Sequence, residues 1–218
     1  MLVVGLGAGG HAKVVIEILR LAGGYEFAGL LDPNPQLHGT ELSEVRVIGS
    51  DLMLPELLQR GIRCVFIGVG TVGDTGTRKR LYEDAQRLGF VFARAQHPQA
   101  IVSAAAEIGK GPTIMAGSVI NAGARIGDNV IVNTGAIVEH DCLIGNHVHV
   151  ATGACLAGGV LVGDGSHIGI GASIKQGVTI GAGAIVGAGA VVLTDVQSGT
   201  TVAGVPAKIL NKPELRGA

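Results

Sequence analysis

The sequence predicts an α/β N-terminal domain, a small parallel βαβ sheet over residues 1–95, followed over 96–218 by a parallel β-helix with a C-terminal tail. Three observations carry this. Strand-like and helix-like stretches alternate up to about Ala95, which implies a small parallel sheet. From Val102 the period changes to six and stays there, with Val, Ile or Leu at every sixth position from 102 to 192. The chain holds 37 glycines and no tryptophan, yet lacks the every-third glycine spacing of collagen, so the glycines belong to a different repeat.

In the front domain, Leu2–Gly5 reads as a short apolar strand, and the turn Gly7–Gly10 leads into a helix carrying Val14, Val15, Ile18 and Leu19 near helical spacing. A second strand, Phe27–Leu31, ends at Asp32. The segment Ser50–Arg60 reads as helix, Cys64–Gly68 as a third strand, and Thr77–Leu88 as an amphipathic helix stopped by Gly89.

In the second part, the residue four places after each periodic apolar position is small or β-branched, as at Ala124, Val130, Ala136 and Cys142, so the interior is narrow. A period of six fits neither the helix nor a hairpin array. It fits a coil in which each hexad makes one flat face and its corner, with glycine supplying the turns. Three hexads per coil give a triangular prism of about five coils, stabilised by ladders of identical positions along its axis. The front domain is expected to cap one end and the tail the other.

Composition narrows the function. A net charge of −1 and no lysine or arginine run leave no footprint for nucleic acid or an anionic membrane. Neither a secretion signal nor an apolar run of membrane-spanning length is legible, so a cytoplasmic protein without membrane insertion is expected. Three cysteines in such a chain argue against a disulfide framework. A small-molecule partner is the better expectation.

Candidate chemistry sits in both parts. Gly5-x-Gly7-x-x-Gly10, between a strand and a helix, matches a dinucleotide fingerprint, and Asp32 closes the next strand where a ribose-binding acid would stand. The domain is half of a full dinucleotide fold, so one nucleotide diphosphate fits better than NAD, held by the helix N-terminus and backbone N–H groups around Gly7, Gly9 and Gly10. His11 and Lys13 are candidate phosphate or sugar contacts, Lys13 equally a solvated helix residue. In the prism, His140 occupies the third place of its hexad and can face a groove. Glu139 and Asp141 flank it, and a carboxylate beside an imidazole fixes its tautomer and supports the imidazolium; a solvated turn histidine is the plain alternative. His149 follows nine residues later, half a coil, so within one subunit the two fall on opposite sides. His167 comes one coil after His149 and is expected to stack on it; a surface role suits His147 and His167. Cys142 fills a small inward slot, which favours a packing role over a covalent relay.

The hexads together with Gly204-Val205-Pro206-Ala207-Lys208 resemble the left-handed β-helix acyltransferases. With Gly7-Ala8-Gly9-Gly10-His11-Ala12-Lys13 and Val138-Glu139-His140-Asp141-Cys142, nearly the whole chain resembles the sugar-nucleotide acetyltransferases of 4-amino-4,6-dideoxy sugars, of bacillosamine-precursor or perosamine type, and the related sialic acid O-acetyltransferases. The resemblance implies a homotrimer with acetyl-CoA as co-substrate between adjacent prisms, no metal, and the sugar nucleotide on the front domain. It implies His140 as general base, Asp141 as its orienting partner, His149 near the acetyl thioester, the Gly158 N–H as oxyanion donor and Asn133 as a polar contact. It also implies that the loop Gly68-Val69-Gly70-Thr71, with Arg78 in the next helix, is a further nucleotide-side element. Asp32-Pro33 departs from the paired acids of many relatives. The expected reaction is direct transfer of acetyl to a sugar 4-amino group, for bacterial glycan or O-antigen assembly. O-acetylation of a sialic-acid-like sugar and a non-catalytic trimeric scaffold are the alternatives. A trimeric zinc hydratase is disfavoured, because the histidine spacing differs from that class.

Overall fold

The structure is a computed structural model that describes residues 1–71 and 75–210; the end of the expected tail, 211–218, lies outside the described residues. Strand β1 (Leu2–Leu6) leads into helix α1 (Gly10–Ala22), then β2 (Glu26–Leu31), the short β3 (Glu41–Leu42) and β4 (Val45–Gly49). Helix α2 (Leu54–Gln59), β5 (Cys64–Ile67), α3 (Gly76–Arg87) and β6 (Val91–Phe92) complete the front domain. Its sheet runs β3-β4-β2-β1-β5-β6. Every pairing is parallel except β3 with β4.

Helix α1 forms because Ala12, Val15, Ile16, Ile18 and Leu19 share one face and bury it on the sheet; Val14, expected on that face, is exposed. Strand β4 was not expected from the sequence. Its Val-Arg-Val alternation is only a few residues long, and what fixes it is parallel pairing with β2, which is invisible locally. Because β2 and β4 extend to one side of β1 while β5 and β6 extend to the other, the strand order reverses between β1 and β5. The carboxyl ends of these two strands therefore frame a crevice of the kind that takes ligands in open α/β sheets.

The second part is the expected prism. Two-residue strands repeat every 18 residues on three faces. The first face stacks Ala95–Gln96, Thr113–Ile114, Ile131–Val132, His149–Val150, His167–Ile168 and Ile185–Val186. The second stacks Ile101–Val102 through Ile137–Val138 and Cys155–Leu156 to Val191–Val192, and the third Glu107–Ile108 through Leu143–Ile144 to Thr179–Ile180. In each strand the second residue points inward: Ile120, Val132, Val138, Val150 and Leu156 are fully buried, and so are the small corner residues Ala124, Ala136, Cys142 and Ala154. At the far end Thr201–Ala203 joins the first face and pairs antiparallel with Lys208–Ile209, which closes the ladder edge.

The two parts are joined along the first face, where Ala95, Met115 and Ile131 pack into the same cluster as Val15, Ile18 and Leu19 of α1. Helix α3 adds a second seam. The Tyr82 hydroxyl donates to Asp128 Oδ2 at 2.9 Å, and the Tyr82 ring meets the His147 ring edge-on.

Candidate active site

The crevice beside β1 is built by glycines with different duties. Gly7 has φ +104°, and a Cβ there would stand 2.5 Å from Val69 Cγ2; a Cβ at Gly68 would stand 2.6 Å from the Gly7 carbonyl oxygen. These two residues let the β1 and β5 loops touch. Their N–H groups are consumed inside the sheet, Gly7 donating to Leu31 O and Gly68 to Leu6 O, and both are buried. Gly7 and Gly68 therefore shape the crevice and offer a ligand no donor, a correction to the sequence reading. Gly9 and Gly10 are the reverse. Both are exposed, a Cβ would meet nothing within 4 Å, and the α1 N-terminus carries no side-chain cap and no acidic residue in its first turn. That leaves a bare, positive helix end open to an anion. Asp32 accepts from the Ala8 N–H at 2.9 Å and the Asn34 N–H at 3.0 Å, bracing the first loop beside the crevice. Lys13 is exposed further along α1, in a shallow depression with Glu17, Arg20 and Ser43.

Arg78, expected on the nucleotide side, is held inside the fold. It is 2% exposed, and its guanidinium donates to Ile67 O, Val69 O, Asn129 O and Thr113 Oγ1, tying α3 to the β5 loop and the prism. Burial pushes its pKa down to about 9. A fifth contact is with His11 Nε2 at 3.4 Å. Burial first, and the Arg78 charge second, push the His11 pKa down to about 3, so His11 faces the crevice as a neutral ring, not as a cation.

The second centre lies at the corner between the second and third prism faces. His140 is exposed, and its Nδ1 lies 2.8 Å from Asp141 Oδ2; a carboxylate can only accept here, so Nδ1 carries the proton and Nε2 is left as the basic nitrogen. The hydrogen bond to Asp141 raises the His140 pKa, and the charges of Asp141 and Glu139 act in the same direction. Directly beneath the ring, one coil on, stands Gly158: a Cβ there would be 2.5 Å from His140 Nε2. The Gly158 N–H has no acceptor among the described residues. A base nitrogen and an unpaired backbone donor thus share one corner, the pair needed to take a proton from a nucleophile and to receive a developing oxyanion. Asp141 stands in the left-handed region, φ +59°, where Gly123 and Gly159 occupy the neighbouring coils. Cys142, the next residue, is fully buried with its thiol against Ala157 O, as its inward slot required.

His149, expected near the acetyl thioester, has partners of its own in the fold. It is buried on the first face, where Nδ1 donates to the Thr71 carbonyl oxygen at 2.8 Å and lies 2.9 Å from Thr71 Oγ1. Asn133 Oδ1 accepts from the Thr134 N–H, which turns Nδ2 toward His149 Nε2 at 3.0 Å. Both ring nitrogens are therefore engaged, and His149 acts on its surroundings by orienting Asn133, which is only half-buried. Desolvation, with help from His167, pushes the His149 pKa down to about 4. The expected stacking on His167 is present as an edge-on contact with ring centroids 5.0 Å apart. The sequence pointed to the loop ending at Thr71 but not to its contact with His149, which arises only through the docking of the two parts.

Among the described residues, no three histidine, cysteine or acidic side chains converge as a metal site. No helix among them is long and apolar enough to cross a membrane.

Residues 3–85 match the PglD N-terminal domain family, and residues 105–139 and 159–194 match the bacterial transferase hexapeptide family of six repeats. PerB from Caulobacter crescentus, solved in complex with CoA and GDP-perosamine, is 44% identical, with 96% of this chain and 97% of that one covered and a TM-score of 0.89. The acetyltransferase domain of PglB from Neisseria gonorrhoeae is 40% identical over 96% of this chain and 99% of that one, with a TM-score of 0.87, and has also been solved with acetyl coenzyme A. WeeI from Acinetobacter baumannii is 30% identical over 96% of this chain and all of that one, with a TM-score of 0.84. A comparison with curated proteins finds no match.

Proposed function

The chain belongs to the sugar-nucleotide N-acetyltransferases that join a PglD N-terminal domain to hexapeptide repeats, and on that premise we propose how its own residues divide the reaction. It is an acetyl-CoA-dependent enzyme acting on the amino group of a nucleotide-linked 4-amino-4,6-dideoxy sugar, of the GDP-perosamine or bacillosamine-precursor type. The front unit, 1–95, takes the sugar nucleotide, its pyrophosphate on the bare α1 N-terminus at Gly9 and Gly10 with His11 as a neutral neighbour. The prism takes acetyl-CoA and carries out the transfer.

The observation that carries this reading is the His140 corner, where Nε2, freed by the Nδ1 bond to Asp141, stands against Gly158, whose N–H has no acceptor among the described residues. The acceptor nitrogen attacks the thioester carbon while its carbonyl electrons move onto oxygen, which Gly158 stabilises. His140 removes the proton from nitrogen, the electron pair returns, and the C–S bond breaks; the imidazolium then protonates the departing thiolate.

A trimer completes the site. Outward apolar residues stand uncovered on the faces that meet at the His140 corner, with Ile101 on the second face and Leu143 and Leu161 on the third, and a broad groove runs down the third face past the two leucines. His140 and the Asn133–His149 pair lie at different corners of one prism, so a neighbouring subunit brings them into one cleft. A reaction between acetyl-CoA and a nucleotide sugar is in keeping with a cytoplasmic protein.

The test is thiol release from acetyl-CoA, followed with a thiol-reactive dye, across UDP-, GDP- and dTDP-linked 4-amino sugars and free sialic acid. Turnover with one amino sugar nucleotide is expected and names the base. Turnover with sialic acid alone would move the assignment to O-acetylation, and silence despite CoA binding would remove the acceptor class.

A further inference from the structure

Resting on the reading above, we propose that Glu139 is the specificity-determining residue that makes the His140 corner select an amine over a hydroxyl as acetyl acceptor. The base needs one carboxylate, and Asp141 supplies it at Nδ1. Glu139 is a second one with no such duty. Its Oε2 accepts from Asn121 Nδ2 at 2.8 Å, one coil back, and from the His140 N–H at 3.3 Å. Both donors fix the carboxylate in place and neither neutralises it.

The charged surroundings of the corner are few. The preceding coil presents Asn121, Ala122 and Gly123 here, and the following coil Ala157, Gly158 and Gly159, all uncharged. Lys175 is two coils from Glu139, about 10 Å at the strand spacing. Among the described residues Glu139 makes no ion pair, and the ion pair of Asp141 is with His140. The corner therefore holds one negative charge more than the histidine needs, fixed beside an exposed base nitrogen.

An alkylamine is mostly protonated at neutral pH, whereas a hydroxyl carries no charge. A fixed carboxylate concentrates the first at the base and ignores the second. The field does not obstruct chemistry, because it favours a cation on the acceptor nitrogen and on His140 alike, and moving a proton between them leaves the charge inside the same field. The ammonium yields one proton through His140 to solvent. The free amine attacks the thioester carbon; the N–C bond forms, nitrogen becomes cationic beside the carboxylates, and the carbonyl pair moves to oxygen. His140 takes the second proton, the C–S bond breaks, and the thiolate takes that proton. The sum is ammonium plus acetyl-CoA giving amide, CoA thiol and one proton.

The test compares Glu139→Gln, which keeps an oxygen for Asn121 without the charge, and Glu139→Asp, which keeps the charge. Thiol release is measured with the 4-amino sugar nucleotide, and the 4-hydroxy analogue is measured as a competitive inhibitor. Glu139→Gln is expected to lower kcat/KM for the amine about five- to tenfold, with the analogue's inhibition constant within about twofold of wild type. The acid limb of the pH profile should move down, and Glu139→Asp should recover most of the amine rate. Equal loss for both ligands, or loss for neither, would overturn the inference while leaving the transferase reading intact. A wild-type enzyme silent toward every amino sugar nucleotide would overturn both.

Discussion

Three residues other than glycine, Asn129, Asp141 and His147, hold left-handed backbone at prism corners where most coils carry glycine. Such a conformation costs on the order of 1 kcal/mol, so the side chains there are retained for what they touch. Asn129 and His147 bond each other at the seam with α3, and Asp141 orients His140. Asp141→Gly should therefore hold or gain about 1 kcal/mol of stability in denaturant unfolding while turnover falls at least about tenfold. Because Asp141 is the main cause of the raised His140 pKa, the acid limb of kcat/KM should also shift down, toward the usual histidine value. A wild-type acid limb that stays put in the variant would remove Asp141 from its orienting role. The His140–Asp141 pair was legible in the sequence because its members are adjacent. Thr71 and His149 are 78 residues apart, and no local pattern announces their contact. Arg78 was readable as a basic helix residue near a glycine loop, but only burial reveals that it ties the two parts together.

At the level of elements, the crevice and the prism behave differently under substitution. A Cβ at Gly10 meets nothing within 4 Å, so Gly10→Val should fold with an unfolding temperature close to wild type. Its KM for the sugar nucleotide should rise at least about tenfold, because the side chain fills the anion's place at the helix end. An unchanged KM would move the pyrophosphate elsewhere. In the prism, Leu156 is fully buried between Val138 and Ile174 in the coils on either side. Leu156→Ala should cost about 2–5 kcal/mol by equilibrium unfolding, the cost of a core cavity. The hexads were legible because each states its inward and corner positions within six residues. Strand β4 was not, because parallel pairing across a connection has no signature in the strand itself.

For the whole molecule, the docked seam makes stability depend on neutral histidines. The His11 and His149 pKa values are depressed from 6.5 to about 3 and about 4 by burial, so the unfolded chain binds protons that the folded one refuses. The stability contributed by neutral burial is complete above 6.5 and is lost as pH falls through this window toward the folded values. Equilibrium unfolding should show that decline, and His149→Gln should flatten it; a parallel curve for the variant would contradict the docking role assigned to His149. The change from an α/β part to a hexad prism was readable from the change of period, whereas the contacts that unite the two were not. The central claim is that His140 moves the proton in acetyl transfer and does not serve to bind the donor. It is tested most directly by measuring, for His140→Ala, both thiol release with the 4-amino sugar nucleotide and CoA affinity by calorimetry. The expected result is a kcat lower by about a hundredfold or more with CoA affinity within about twofold of wild type. Near-normal turnover at neutral pH, or a loss confined to CoA binding, would contradict it.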